Sequence, residues 1–188
     1  MFQLLSRRSS YSIRAFRSGT EFLTAHPLLN PGVVLLDYRM AGANGLAVLD
    51  TLRACSERFV SVMLTAHGAV QRSVDAMKGG AFDFLEKPCD PEALLSVLDS
   101  AFRHLDTVQA RCAVRDAARH QLSELTPREQ QVLDGLVNGQ ANKQIAWELA
   151  ISPRTVEVHR ANVMLKLKAK TLADVLQIVF AAEPVRAA

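Results

Sequence analysis

The run Val33-Val-Leu-Leu-Asp37 decides the fold. Four consecutive apolar residues are too few for a buried helix and show no polar alternation. They predict a short strand covered on both faces, as in a parallel sheet. Val60–Thr65 repeats the pattern, and Ala81–Glu86 gives a third short strand before Lys87-Pro88. Between these runs the apolar spacing becomes helical. Leu46, Val48, Leu49 and Leu52 mark a helix over Gly45–Cys55. Val70, Val74 and Met77 mark another, ended by Gly79-Gly80. Pro91 opens a helix carrying Leu94, Leu95, Leu98, Ala101, Phe102 and Leu105. Strands alternating with helices predict a doubly wound parallel sheet.

Toward the N-terminus, Ser18-Gly-Thr-Glu21 is a capping box that opens a helix to about His26. Tyr11–Phe16 reads as a strand, and Phe2–Arg8 as a helix before it. Residues 1–20 hold four Arg, five Ser and no acid, a composition shared with organellar transit peptides. The pattern runs straight into that of a folded domain, which favours the helix-then-strand reading.

Toward the C-terminus the signals become entirely helical. Val108 and Cys112 continue the preceding apolar stripe, so residues 106–121 read as a solvated helical linker. A short dimer seam is the alternative reading, though fewer than three heptads is weak support for a coiled coil. Thr126-Pro-Arg-Glu129 combines a capping Thr, a Pro at the first helical position and a Glu three after the cap. That helix buries Val132, Leu133, Leu136 and Val137, and Gly139 stops it. A short helix over Asn142–Leu149 and a turn at Ala150-Ile151 lead to Ser152-Pro153, which start another helix to about Leu167. Thr171–Ala182 is a final apolar helix.

The 188 residues and 20.6 kDa suit one large domain or two small ones. Apolar residues make up 49% and charged residues 22%, which excludes a disordered or collagen-like chain. No apolar run approaches the ~18 residues of a membrane-spanning helix. The net charge of +3 permits a nucleic-acid partner without requiring one. Cys55, Cys89 and Cys112 have no C-x-x-C spacing, so neither a disulfide framework nor a zinc site is expected. Reduced thiols in a cytoplasmic protein are the expectation.

In open parallel sheets, chemistry gathers at the carboxyl ends of the strands. Asp37, Thr65 and Lys87 stand there, 28 and 22 residues apart. A carboxylate, a hydroxyl and an ammonium on one edge suit phosphoryl transfer, with the carboxylate as nucleophile and the others holding phosphoryl oxygens. Singly, each has an ordinary explanation as a turn former or surface charge. Their order and spacing make the combination informative.

Val33–Met40, Met63-Leu-Thr-Ala-His-Gly68 and Ala81-Phe-Asp-Phe-Leu-Glu-Lys-Pro88 resemble the receiver domain of two-component response regulators, over about residues 5–105. The resemblance implies a flavodoxin-like receiver fold. Asp37 is then the phospho-acceptor, Thr65 the switch hydroxyl, Phe84 the aromatic switch and Lys87 the phosphoryl partner. It implies a cis Lys87-Pro88 bond, and Mg²⁺ held by Asp37 and the backbone carbonyl of Arg39. Receivers also carry a first strand ending in two adjacent acids. Here only Glu21 precedes Asp37, so the fold is expected to be an incomplete receiver. The expected consequences are weak or absent Mg²⁺ binding and slow or no phosphorylation. The loss of buried side chains would be roughly 6–15 kcal/mol. A late start and a degenerate receiver both fit this pattern.

Leu125–Glu129, Gly139, Asn142-Lys-Gln-Ile-Ala146, Leu149, Ile151-Ser-Pro-Arg-Thr-Val-Glu-Val-His159 and Lys166-Leu167 resemble the four-helix LuxR/FixJ-type helix-turn-helix domain, over about residues 122–182. The segment Ser152–Lys170 has five basic residues against Glu157, so positive charge concentrates on one helix and its exit. Such a helix enters the major groove. Its outward residues Glu157, Val158, Ala161 and Asn162 are the expected base readers. Asn142, Lys143, Thr155, Arg160 and Lys166 are the expected phosphate contacts, and His159 suits either packing or contact.

The expected architecture is therefore α/β followed by all-α: a receiver at 1–105, a linker at 106–121 and a DNA-binding domain at 122–188. The expected function is phosphorelay-controlled transcription regulation. Promoter DNA and a sensor histidine kinase are the expected partners, with a homodimer on DNA and no membrane. A phosphorylation-independent DNA binder is the alternative. A small doubly wound enzyme is disfavoured by the lack of a Gly-rich phosphate loop and of a nucleophile–histidine arrangement, so no catalytic residue is assigned.

Overall fold

The computed structural model describes residues 11–40, 42–66 and 77–183. The chain forms two compact units, Met1–Gln109 and Ala110–Ala188. The helix expected at Phe2–Arg8 and most of the one around Val70 and Val74 lie outside the described residues.

In the first unit, α1 (Gly19–Ala25) and a 3₁₀ turn (His26–Leu28) precede β1 (Gly32–Asp37). Then come α2 (Gly45–Arg53), β2 (Phe59–Ala66) and β3 (Asp83–Lys87). All three strands are parallel, in the order β1-β2-β3. Central β2 is buried from Phe59 through Thr65. Strand β1, at the edge among the described strands, packs Val34 and Leu36 on one core layer and Val33 and Leu35 on the other, so both faces are covered as expected, though only Leu36 is fully buried. Its sequence is as apolar as that of β2. Position in the sheet, not composition, sets the difference. One core layer gathers Phe22, Leu36, Val48, Leu49, Leu52, Phe59 and Met63. The other gathers Val60, Val62, Ala101 and Leu105.

Tyr11–Phe16 is not a strand, which corrects the sequence expectation. A strand requires a neighbouring ladder, and this segment makes none. Side chains anchor it instead. Tyr11 stacks on Phe102 at 4.7 Å and donates to the Asp99 carboxylate, and Ile13 packs with Leu94 and Leu98. The hydrogen bond to Asp99, reinforced by burial, pushes the Tyr11 phenol up to about 12. At α1 the Ser18 hydroxyl accepts from Glu21 N–H, while the Glu21 carboxylate accepts from Arg17 N–H, one residue before the cap.

Helix α3 runs without a break from Pro91 to Ser123, so the expected linker is helical throughout. In the second unit it is followed by α4 (Pro127–Val137), α5 (Asn142–Glu148), α6 (Pro153–Lys166) and α7 (Leu172–Ala182). Local chemistry sets these boundaries. Thr126 and Glu129 form a complete capping box, as do Thr171 and Asp174. Ser152 caps α6 with Pro153 at the first position. The turn between α5 and α6 places Ala150 at φ 53°, a left-handed conformation that reverses the chain sharply. Val132, Leu136, Ile145, Ala146 and Val156 form one core cluster, and Leu133, Val163, Leu167 and Val175 another. Ala118, Leu122 and Leu125 are packed into the same unit, and Arg119 donates to the Ala182 carbonyl at 2.9 Å.

Candidate functional site

Parallel register brings Asp37, Thr65 and Lys87 to one edge of the sheet. Asp37 lies opposite Leu64, while Thr65 and Ala66 lie opposite Glu86 and Lys87. Strands β1 and β3 flank β2, so they are about 10 Å apart. The long Lys stem spans that gap, and the Lys87 ammonium donates to Asp37 Oδ2. Asp37 Oδ1 accepts from the Arg39 N–H at 3.1 Å. The Lys87-Pro88 bond is cis, as the family resemblance implied. Thr65 is fully buried, and its hydroxyl has no hydrogen-bond partner among the described residues. A buried polar group without a partner loses its hydration uncompensated. Phe84, opposite Met63, is partly exposed.

Gly45 is a site residue that the sequence reading passed over as a helix start. A Cβ there would lie 2.5 Å from the Asp37 carbonyl oxygen and 3.0 Å from Met63 Cε. The first turn of α2 therefore approaches the Asp37 backbone closely only because position 45 lacks a side chain.

Receiver domains bind Mg²⁺ for phosphorylation, and the residues here fit that ion poorly. Among the described residues no group of three or more His, Cys, Asp or Glu could hold a metal. Asp37 would contribute one carboxylate, already engaged by Lys87, beside the Arg39 carbonyl. Mg²⁺ favours octahedral oxygen ligation and sheds its waters reluctantly. This donor set alone would hold it weakly, and no chemical step is assigned to the ion.

The second cluster lies on α5 and α6. Glu157, Val158, Ala161 and Asn162 are all exposed on α6, opposite the buried Val156 and Val163. Leu165, 77% exposed, lengthens the apolar part of that surface, a feature its place in an apolar-rich helix did not signal. Lys143 is exposed at the start of α5. Arg160 donates to Asn142 Oδ1 at 3.4 Å, tying two of the expected phosphate contacts together. Thr155 is half-buried, its hydroxyl within 2.8 Å of the Ser152 hydroxyl. His159 is half-buried with its Nδ1 enclosed and unpartnered among the described residues, so that atom packs rather than points outward.

Lys166, also expected among the phosphate contacts, is engaged within the protein. Its ammonium donates to Glu129 Oε2 at 2.7 Å and to the Glu124 carbonyl at 3.2 Å. Sequence reasoning placed Glu129 in the capping box but missed its second partner, which lies 37 residues away.

The two units match two family models. Residues 1–99 match the response regulator receiver domain, and residues 123–179 match the bacterial regulatory proteins of the luxR family. The transcriptional regulatory protein FixJ of Bradyrhizobium diazoefficiens is 39% identical over 93% of this chain and 85% of its own length. The tetrathionate response regulatory protein TtrR of Salmonella typhimurium is 38% identical over 89% of this chain and 79% of its own. Among solved structures, response regulator StyR has a TM-score of 0.79 at 36% identity, covering 95% of this chain and 90% of the other. Full-length FixJ from B. japonicum has a TM-score of 0.55 at 39% identity, covering 96% and 88%. Fold and site therefore define a two-component response regulator. Within that class, the chain belongs to the FixJ-like regulators, in which a receiver domain is joined to a LuxR-type DNA-binding domain, and it is a transcription regulator.

Proposed function

We propose that Asp37 accepts a phosphoryl group from the phosphohistidine of a sensor kinase, and that this controls how α6 occupies promoter DNA. An Asp37 oxygen forms the new P–O bond as the P–N bond breaks. The electron pair stays on the ring nitrogen, and the proton already carried by the other ring nitrogen makes the leaving histidine a neutral imidazole. Lys87 then moves from the carboxylate to a phosphoryl oxygen. The buried Thr65 hydroxyl, without a partner among the described residues, carries this reading, since a phosphoryl oxygen would supply an acceptor. Phe84, on the same strand as Lys87, then follows the displaced Thr65.

On the DNA side, Glu157, Val158, Ala161 and Asn162 read bases, while Asn142, Lys143, Thr155 and Arg160 meet phosphates. Residues 1–105 act as receiver, 106–121 as linker and 122–188 as DNA-binding domain. Two copies meet on paired half-sites, the arrangement helix-turn-helix proteins favour. The cytoplasm is the proposed location. No helix among the described residues is long and apolar enough to cross a membrane.

A small phosphodonor with Mg²⁺ tests the first half. The intact protein should gain one phosphoryl mass and Asp37→Asn none. A second reading, regulation without phosphorylation, is favoured by the already neutralised Asp37 and the poor metal set. Under that reading Asp37→Asn leaves promoter output unchanged.

A further inference from the structure

We propose that Glu129 is a positioning residue for DNA recognition, acting through Lys166 to set the end of α6. The inference rests on α6 being the base-reading helix.

Glu129 is 4% exposed, among the few buried charged or polar residues of the described chain. A buried carboxylate is tolerated when its oxygens are hydrogen-bonded and its charge is matched. Here Oε2 accepts from the Thr126 N–H at 2.8 Å and from Lys166 at 2.7 Å. These bonds, the one from Lys166 first, outweigh burial, which acts in the opposite direction, and hold the carboxyl below its usual range. Lys166 also reaches the Glu124 carbonyl at 3.2 Å. One ammonium thus joins the end of α6 to the start of α4 and to the chain just before it. As a cation in the last turn of its own helix, Lys166 also suits the α6 dipole.

Apolar packing does not supply the same constraint. Val156, Val163 and Leu167 bury one side of α6 and set its rotation. Such contacts are non-directional, so they resist sliding and tilting only weakly. A charge-assisted bond has a narrow distance range and fixes one end of the helix. Ser152 fixes the other end through its bond to the Thr155 N–H at 3.1 Å. The base readers lie between these two fixed points. Misplacing α6 by a fraction of an ångström would spoil base-edge contacts more than phosphate contacts, because flexible side chains make the latter.

A Gln at position 129 can still complete the capping box, so Glu129→Gln removes the charge while keeping the cap. The full chain is tested on two probes: a duplex selected by the wild-type protein from a random pool, and a random-sequence duplex. Glu129→Gln and Lys166→Gln should each weaken the selected duplex about tenfold and the random one less than about twofold. Their salt slopes should match the wild type, the double variant should be no worse than either single, and Lys166→Arg should restore discrimination.

If Lys166→Gln alone lowers the salt slope by about 0.9, Lys166 is a phosphate ligand and the proposal fails. Undiminished discrimination in both variants also overturns it. If Glu129→Gln does not fold, Glu129→Asp keeps the charge but shortens its reach. Reduced discrimination there supports the proposal, and wild-type discrimination refutes it. Wild-type selection of no duplex would instead strike at α6 as the reading helix.

Discussion

The Lys87 ammonium donates to the Asp37 carboxylate across strand β2, although 50 positions separate the two in the chain. On the same edge of the sheet, the Thr65 hydroxyl is buried and has no partner among the described residues. The site therefore holds a matched charge and an unmatched hydroxyl, a combination poised for an added acceptor.

Thr65→Val replaces an unpaired buried hydroxyl with a methyl of similar shape. Stability should rise by about 1 kcal/mol, because the desolvation of an unsatisfied group disappears. Phosphodonor treatment should then no longer change DNA affinity. Urea melts and DNA titrations with and without phosphodonor check both parts. A Thr65→Val protein that still responded to phosphodonor would remove Thr65 from the switch.

Gly45→Ala places a Cβ 2.5 Å from the Asp37 carbonyl oxygen. Backbone cannot yield as a side-chain tip can, so α2 or the end of β1 must shift. The expected cost is about 1–3 kcal/mol, the range for overpacking a filled site. Denaturant unfolding measures it, and phosphoryl uptake at Asp37 should fall as well. Unchanged values for both would show that the close approach has no consequence.

Lys143→Ala should weaken every DNA sequence by a similar factor and reduce the salt slope by about 0.9, as expected for one lost phosphate contact. Val158→Ala should leave the slope alone and relax preference at one base pair by about 1 kcal/mol. Binding titrations over a salt series, with a panel of single base-pair changes, separate these roles.

Acid should loosen the DNA-binding unit through Glu129. Its carboxyl is held below the usual range, chiefly by the Lys166 hydrogen bond and then by the Thr126 N–H. The folded value lies below the unfolded one, so the unfolded state binds the extra proton. The stabilisation is complete above the unfolded value of about 4.3 and is lost as pH falls through the folded value. Glu129→Gln should therefore show a shallower fall in thermal midpoint below about pH 5. Equal slopes for wild type and variant would assign the acid sensitivity to other carboxylates.

Much was legible from local chemistry. Thr126, Ser152 and Thr171 announce helices because a cap bonds to backbone only three residues away. The apolar runs ending at Asp37 and Thr65, with Lys87 beyond the third, announce strand ends and a phosphoryl-type site. Residues that depend on distant partners were misread. Tyr11–Phe16 has strand-like composition, yet it is held by side-chain contacts to Leu94, Asp99 and Phe102 and not by a ladder. Val33–Leu36 looks as buried as Val60–Leu64, yet among the described strands sheet order puts one at the edge and the other in the centre. Lys166 reads as one more cation on a basic helix, since charge is visible in a sequence and its partner is not.

Periodicity, caps and motif spacing were thus enough to place Asp37, Thr65 and Lys87 at one edge of a parallel sheet and Glu157, Val158, Ala161 and Asn162 on the outer face of one helix. These follow from interactions within a few residues or from strand order along the chain. Folding in three dimensions decided which charges are already matched. It put Lys87 on Asp37, buried the Thr65 hydroxyl away from any partner among the described residues, pressed Gly45 against the Asp37 backbone and brought Lys166 to Glu129. Each joins segments far apart in sequence, and the strength of each depends on burial and distance, which only the packed chain sets.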